Sequence, residues 1–154
     1  MRALILPVLS VFAFAFCAPV APSPTVPEPV YLASPGQAMS GLPFSDAVRV
    51  GDLLFLSGKL GTVPGKIELA PGGIAAETRQ AMENIKTSLL SNGSSLDRVV
   101  KCTVMLADIR EWAAMNEVYV QYFPNHRPAR SAFGTGGLAL NGRVEIECIA
   151  VMGR

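Results

Sequence analysis

From Asp46 onward, short apolar runs alternate with turn residues. Ala47, Val48 and Val50 are followed, after Gly51 and Asp52, by Leu53 to Leu56. Two apolar runs joined by a Gly-Asp pair predict an antiparallel hairpin. Ser57, Gly58 and the glycines between 61 and 65 end the second strand, because Gly and Pro at that density do not continue a ladder. After Pro71-Gly72-Gly73, the residues Thr78, Met82, Ile85 and Leu89 recur at three- and four-residue spacing and predict an amphipathic helix that Asn92 and Gly93 cap. Val99 to Leu106 reads as a strand with Val100, Cys102, Val104 and Leu106 on one face and Lys101, Thr103 and Met105 on the other. Asp108 starts a second helix, with Glu111 completing a capping box. Trp112, Met115, Tyr119 and Tyr122 line one face of it until Pro124 stops the run. Strands around 130–133 and 143–152 complete the order β-β-α-β-α-β-β, with a hairpin expected at each end. This order predicts an α+β sandwich: one mixed sheet with both helices on one face. The other face then needs a cover, and in a domain this small oligomerisation is the usual solution.

The N-terminal pattern is different. Arg2 precedes an apolar run from Ala3 to Ala18, too short to span a bilayer comfortably, with small residues placed for cleavage after Ala15 or Cys17. Residues 1–17 are therefore expected to be a secretory signal peptide. The chain should be exported to a periplasm or to the medium without stable membrane association, or be cytoplasmic if the start codon lies further on. Residues 18–38, rich in Pro, Ala and Ser, bury too little to offset their ordering entropy and are expected to be a flexible linker. That leaves 39–154 as the folded domain, which at this size can sustain its own core.

Charge narrows the function. Thirteen basic against twelve acidic side chains give a net charge of +1, without the positive field that binding a phosphate backbone requires, so nucleic acid is not an expected partner. His126 is the only histidine, and its place beside a proline-bounded loop predicts a solvent-facing side chain; neither a Ser-His-Asp triad nor a His-rich metal site has its parts. Cys102 and Cys148 lie on separate expected strands without CxxC spacing. Buried thiols are the default reading, and export would permit a disulfide if the strands were neighbours. The Gly-Thr-Gly-Gly run at 134–137 lacks a following Lys-Ser or Lys-Thr and reads as a loop rather than a phosphate cradle.

Several blocks resemble the RidA/YjgF family of reactive-intermediate deaminases: Leu42-Pro43-Phe44-Ser45-Asp46-Ala47-Val48, Val50-Gly51-Asp52-Leu53-Leu54-Phe55-Leu56-Ser57-Gly58, and Glu77-Thr78-Arg79-Gln80-Ala81-Met82-Glu83-Asn84-Ile85. The strongest is Pro128-Ala129-Arg130-Ser131 followed by Val144-Glu145-Ile146-Glu147-Cys148-Ile149-Ala150-Val151, with Asn116, Tyr119 and Phe123 matching the helix before it. Together these blocks cover nearly all of the chain from about Gly41. The resemblance implies a chorismate-mutase-like fold, a homotrimer with ligand pockets between subunits, and cofactor-free hydrolysis of 2-imino acids or their enamine tautomers to 2-keto acids and ammonia.

Mapped onto this chain, the resemblance assigns Arg130 to the substrate carboxylate, for which a guanidinium fork is suited, and Glu145 to the attacking water. It assigns Ser57, Gly58 and Asn116 to the pocket wall, and no metal or organic cofactor. Phe44 stands where archetypal deaminases carry Tyr, and Ala132 where they commonly carry Cys; Phe44 can still close the pocket as an apolar wall. Plainer readings exist beside these. Arg130 could pair with an acidic neighbour, Glu145 and Glu147 could mark an exposed face, and the Trp112, Tyr119 and Tyr122 stripe suits helix packing better than a ligand box. The same cleft could bind a small carboxylic acid without turning it over. RNA cleavage is a weaker alternative, given the neutral charge.

Overall fold

The computed structural model describes residues 26–33 and 42–153, so the expected signal peptide and most of the expected linker lie outside the described residues. The strands are β1 (Pro29–Leu32), β2 (Ala47–Val50), β3 (Leu53–Leu56), β4 (Lys59–Leu60), β5 (Val99–Leu106), β6 (Ala129–Gly134) and β7 (Val144–Val151). Helix α1 (Gly73–Ser91) falls between β4 and β5, and α2 (Trp112–Tyr119) between β5 and β6. The sheet order is β1-β2-β3-β7-β5-β6, with β4 also pairing β7. All neighbours are antiparallel except β5 and β6, the parallel pair that α2 connects.

Alternation in the strands decides what each sheet face carries. Leu54, Val104, Ile146 and Ala150 point to the side where Met82, Ile85 and Leu89 of α1 and Met115 of α2 complete a single buried core. The expected α+β sandwich with both helices on one face is the fold found. The hairpin at Gly51-Asp52 also forms, pairing Val50 with Leu53, and Gly51 takes the positive φ of 58° that such a tight turn requires. Asn92 caps α1 as its sequence predicts.

Four features differ from the expectations. Pro29–Leu32, inside the expected linker, pairs with β2: its Pro-Val-Tyr-Leu run supplies an edge strand, where a leading proline costs no ladder bond. The last two strands do not form a hairpin; β7 inserts between β3 and β5, and β6 lies at the sheet edge beside β5. Val100 is exposed, because the β5–β7 register shifts between Val99 and Lys101 and turns the start of the strand over. Asp108 does cap a helical turn, but its side chain accepts from the Arg110 amide, while Glu111 pairs with the Arg143 guanidinium.

Cys102 of β5 and Cys148 of β7 face each other across the ladder, with Cα atoms 4.1 Å apart, and are joined by a disulfide in the core. The bond closes a span of 46 residues that contains α2 and β6. Because a cross-link of this kind restricts the unfolded chain, replacing both cysteines by alanine is expected to cost about 2–4 kcal/mol. Urea unfolding at matched protein concentration checks this; an unchanged midpoint would mean that the staple contributes nothing to stability.

Candidate functional site

Two groups of residues stand out, and they lie on opposite faces of the sheet. The first is built by β6 and α2. Arg130 pairs with Cys102, so its side chain leaves the sheet on the helix-covered side, at the edge strand. There its guanidinium carbon lies 4.7 Å from the centre of the Tyr119 ring and 5.8 Å from that of Trp112. A guanidinium lying over an aromatic face gains cation–π attraction while its in-plane donors stay available. Among the described residues no carboxylate of the same chain pairs with it, so an ion pair within the chain is not what holds Arg130. Asn116, one turn after Trp112, lines the same pocket of about 560 Å³.

Tyr119 forms the floor of this group. It is buried, and among the described residues its hydroxyl has no hydrogen-bond partner. Burial pushes its ionisation up to about 12 against the opposing pull of Arg130, so the ring is neutral at any physiological pH. Tyr122, by contrast, packs on α1, where its hydroxyl meets Glu83 and the Arg79 carbonyl. The aromatic stripe thus divides: Tyr122 is helix packing as expected, whereas Trp112 and Tyr119 belong to the pocket.

The second group is built by the β2–β4 region and β7. Glu145 pairs with Met105 in β5 and Leu60 in β4 and points to the face away from the helices, because its neighbours Val144 and Ile146 fill the core. Its carboxylate rests directly on Gly58, where a Cβ would overlap Oε1, so a side chain at 58 would push the carboxylate aside. Partial burial, reinforced by the charge of Glu147, raises the ionisation of Glu145 above the ordinary carboxylate range. Ser57 donates its hydroxyl to the Ser45 carbonyl at 2.7 Å, which ties the segment carrying Phe44 to the end of β3. That hydroxyl can accept from a ligand, but its own proton is engaged. Phe44 itself is 54% exposed, open to contact from outside the chain.

Buried polar contacts fix this second group. Asp46, at the start of β2, pairs with Lys59 and accepts from Ser88 of α1. Asn84 of α1 donates to the carbonyls of Leu60 and Thr62, at 3.0 and 2.9 Å. The helix therefore holds β4, and with it Gly58, against Glu145.

The structure thus brings Arg130 together with Asn116, and Glu145 together with Gly58, with Ser57 adjoining, but it does not bring the two groups together within one chain. Sequence reasoning did not find Trp112, Arg127 or Val120 as pocket residues. One signal was present: Trp112, Asn116 and Tyr119 sit at i, i+4 and i+7, so a pocket role for Asn116 implies one for the others. His126 is exposed in its loop, as expected. Among the described residues no group of three His, Cys, Asp or Glu side chains could hold a metal ion, and no helix is long and apolar enough to cross a membrane.

Comparison with known proteins places this arrangement. Residues 36–152 match the family model described as endoribonuclease L-PSP. A goat protein named 2-iminobutanoate/2-iminopropanoate deaminase is 47% identical over 111 residues, covering 72% of this chain and 81% of its own. The human protein of the same name is 40% identical over 111 residues, with the same coverage. Among solved structures, the YjgF gene product of Escherichia coli superimposes with a TM-score of 0.72 at 30% identity, over 79% of this chain and 98% of its own. The RidA of an Antarctic Psychrobacter superimposes with a TM-score of 0.70 at 35% identity, over 84% of this chain and all of its own. With the family model spanning the domain and relatives at this identity covering more than two thirds of the chain, the protein belongs to the RidA/YjgF family.

Proposed function

We propose that the protein is a cofactor-independent enamine/imine deaminase that hydrolyses 2-imino acids to 2-keto acids and ammonia. The observation that carries the reading is Arg130, a guanidinium held over two aromatic rings in a pocket and, among the described residues, without a carboxylate partner. A charge held in that way is suited to a carboxylate from solution. The names of the goat and human relatives agree with it.

In this reading Arg130 holds the substrate carboxylate and Asn116 shapes the pocket. Glu145 positions a water and takes its proton as the oxygen attacks C2 of the imine. The proton passes to the nitrogen, giving a carbinolamine; its hydroxyl proton then moves to the nitrogen too, the C2 carbonyl forms as the C–N bond breaks, and ammonia leaves with no change of oxidation state. The raised ionisation of Glu145 brings its basicity closer to neutral pH, which favours such a proton transfer. Phe44 contributes an apolar wall, and Ser57 and Gly58 a hydroxyl acceptor and room for the Glu145 carboxylate.

Since Arg130 and Glu145 leave opposite faces of the sheet, a complete site takes Arg130 from one copy and Glu145 from the next. The face away from the helices supports such an assembly: Leu53 and Phe55 are 41% and 38% exposed there, beside half-buried Val48, Ile149 and Val151. A homotrimer closes this arrangement, and the solution mass is expected to be that of three copies. Phe55→Asp, which places a charge on the apolar face, should lower the mass and the activity together. A wild-type mass of one chain at micromolar concentration would remove the shared site.

Export is part of the proposal, supported by the apolar run after Arg2 and by the Cys102–Cys148 disulfide, since such bonds persist in oxidising compartments. Amino-terminal sequencing of the extracytoplasmic protein should find cleavage after Ala15 or Cys17, and an intact Met1 there would contradict it.

The central test generates imino acids with an amino-acid oxidase and follows their loss. Wild type should accelerate hydrolysis and Arg130→Ala should not; Glu145→Gln should lose roughly 10²–10⁴-fold, as expected for a general base. The base is active as the carboxylate, so the rate should rise with pH through the elevated ionisation of Glu145. Glu147→Gln removes the repelling charge and should move that limb to lower pH. A limb that does not move would assign it to another group. Absence of acceleration over a panel of side chains would favour the second reading, a metabolite-binding protein on the same cleft.

A further inference from the structure

We propose that Trp112 sets the substrate class of this site, selecting 2-imino acids with bulky apolar or aromatic side chains over the smallest ones. The inference rests on the reading of Arg130 as the carboxylate clamp and adds what lies beyond the clamp. Trp112 is the largest side chain in the pocket and remains 46% exposed, at the start of α2, with its ring centre 5.8 Å from the Arg130 guanidinium carbon. Its neighbours in the pocket, Ala113, Val120, Phe123 and Pro128, are apolar. Once Arg130 has fixed a carboxylate, the α-substituent of the bound acid extends about one further side-chain length, within reach of this wall.

The geometry separates two roles for the aromatic pair. Tyr119 lies closer to Arg130, is buried, and serves to hold the guanidinium. Trp112 is farther away and open, so it keeps a free apolar surface that a ligand can cover. A methyl or ethyl substituent covers little of an indole, whereas a phenyl ring or a branched chain covers most of it. The pocket, at about 560 Å³, also exceeds what a three- or four-carbon acid fills. Arg127 and Glu117, both exposed, are its other charged lining groups. They have opposite signs, so the pocket does not present a second net positive charge for an acidic side chain.

The test measures binding rather than turnover, using 2-keto acids as unreactive counterparts of the imines. Pyruvate, phenylpyruvate and 2-oxoglutarate are titrated calorimetrically into the full-length protein, and Trp112, the only tryptophan, gives a parallel fluorescence signal in the wild type. Phenylpyruvate should bind at least ~10-fold more tightly than pyruvate; Trp112→Ala should erase most of that gap by weakening phenylpyruvate alone, and Trp112→Phe should keep most of it. Arg130→Ala should abolish binding of both. Equal affinities for the two acids in the wild type, or an equal loss for both in Trp112→Ala with its unfolding midpoint unchanged, would overturn the assignment of Trp112 and leave the Arg130 clamp standing. Tighter binding of 2-oxoglutarate than of phenylpyruvate would assign the side-chain position to Arg127 and overturn it as well. Failure of every acid to bind, or binding that survives Arg130→Ala, would remove the clamp and with it the basis for the selectivity.

Discussion

The strand Val144–Val151 must satisfy two environments at once, and most of the structure follows from how it does so. Lying between β3 and β5 and pairing with β4 as well, it can change neither its register nor its alternation without displacing three neighbours. Val144, Ile146, Cys148 and Ala150 fill the core under the helices, and this requirement alone puts Glu145 and Glu147 on the other face. A slip of one residue would bury two carboxylates and expose the disulfide. The position of Glu145 on that face is thus stabilised by the hydrophobic effect acting on its neighbours.

Arg130 is held by different means. Its strand is at the sheet edge and, among the described residues, has one partner, so the ladder constrains it less than it does Glu145. The constraint comes from the side: Tyr119 and Trp112 of α2 lie against the guanidinium, and Cys102, its partner in register, is joined to Cys148 in the next strand. Two supports from the side therefore act on a residue at the open edge of the sheet.

The sequence shows these roles unevenly, for physical reasons. The helix stripe of Thr78, Met82, Ile85 and Leu89 and the Gly51-Asp52 turn are local patterns, and each formed where the spacing put it. Insertion of β7 between β3 and β5 is a long-range choice that no local spacing encodes; consecutive strands 130–133 and 143–152 look like a hairpin until the parallel β5–β6 pairing is known. The Cys102–Cys148 bond depends on the same unknown, because only the strand order makes the two residues neighbours. Val100 departs from the alternation of its strand because one shifted pair at Val99/Lys101 reverses the face of the residue before the regular ladder begins. For the site, Arg130 and Glu145 stand out only through the Pro128-Ala129-Arg130-Ser131 and Val144-Glu145-Ile146-Glu147 blocks that resemble the family, while Trp112 does not, because an aromatic on an amphipathic stripe has the same spacing whether it packs or lines a pocket.

The division of the two groups between opposite faces has a consequence for the proposed chemistry. A single chain in which Arg130 and Glu145 cannot meet should bind carboxylates at one face yet catalyse nothing, so assembly becomes a condition of turnover rather than an aid to stability. It also explains why the polar anchoring of the second group is so dense. If Gly58 and Glu145 must meet an arginine supplied by another copy, their position cannot be adjusted by the chain that supplies the arginine and has to be fixed in advance. The buried Asp46–Lys59 pair, the Ser88 hydroxyl and the two Asn84 bonds do this by tying β2 and β4 to the same helix, α1, whose apolar face packs on β7. In the proposed assembly, preorganisation on one side of the site is what allows the other side to rest on an edge strand.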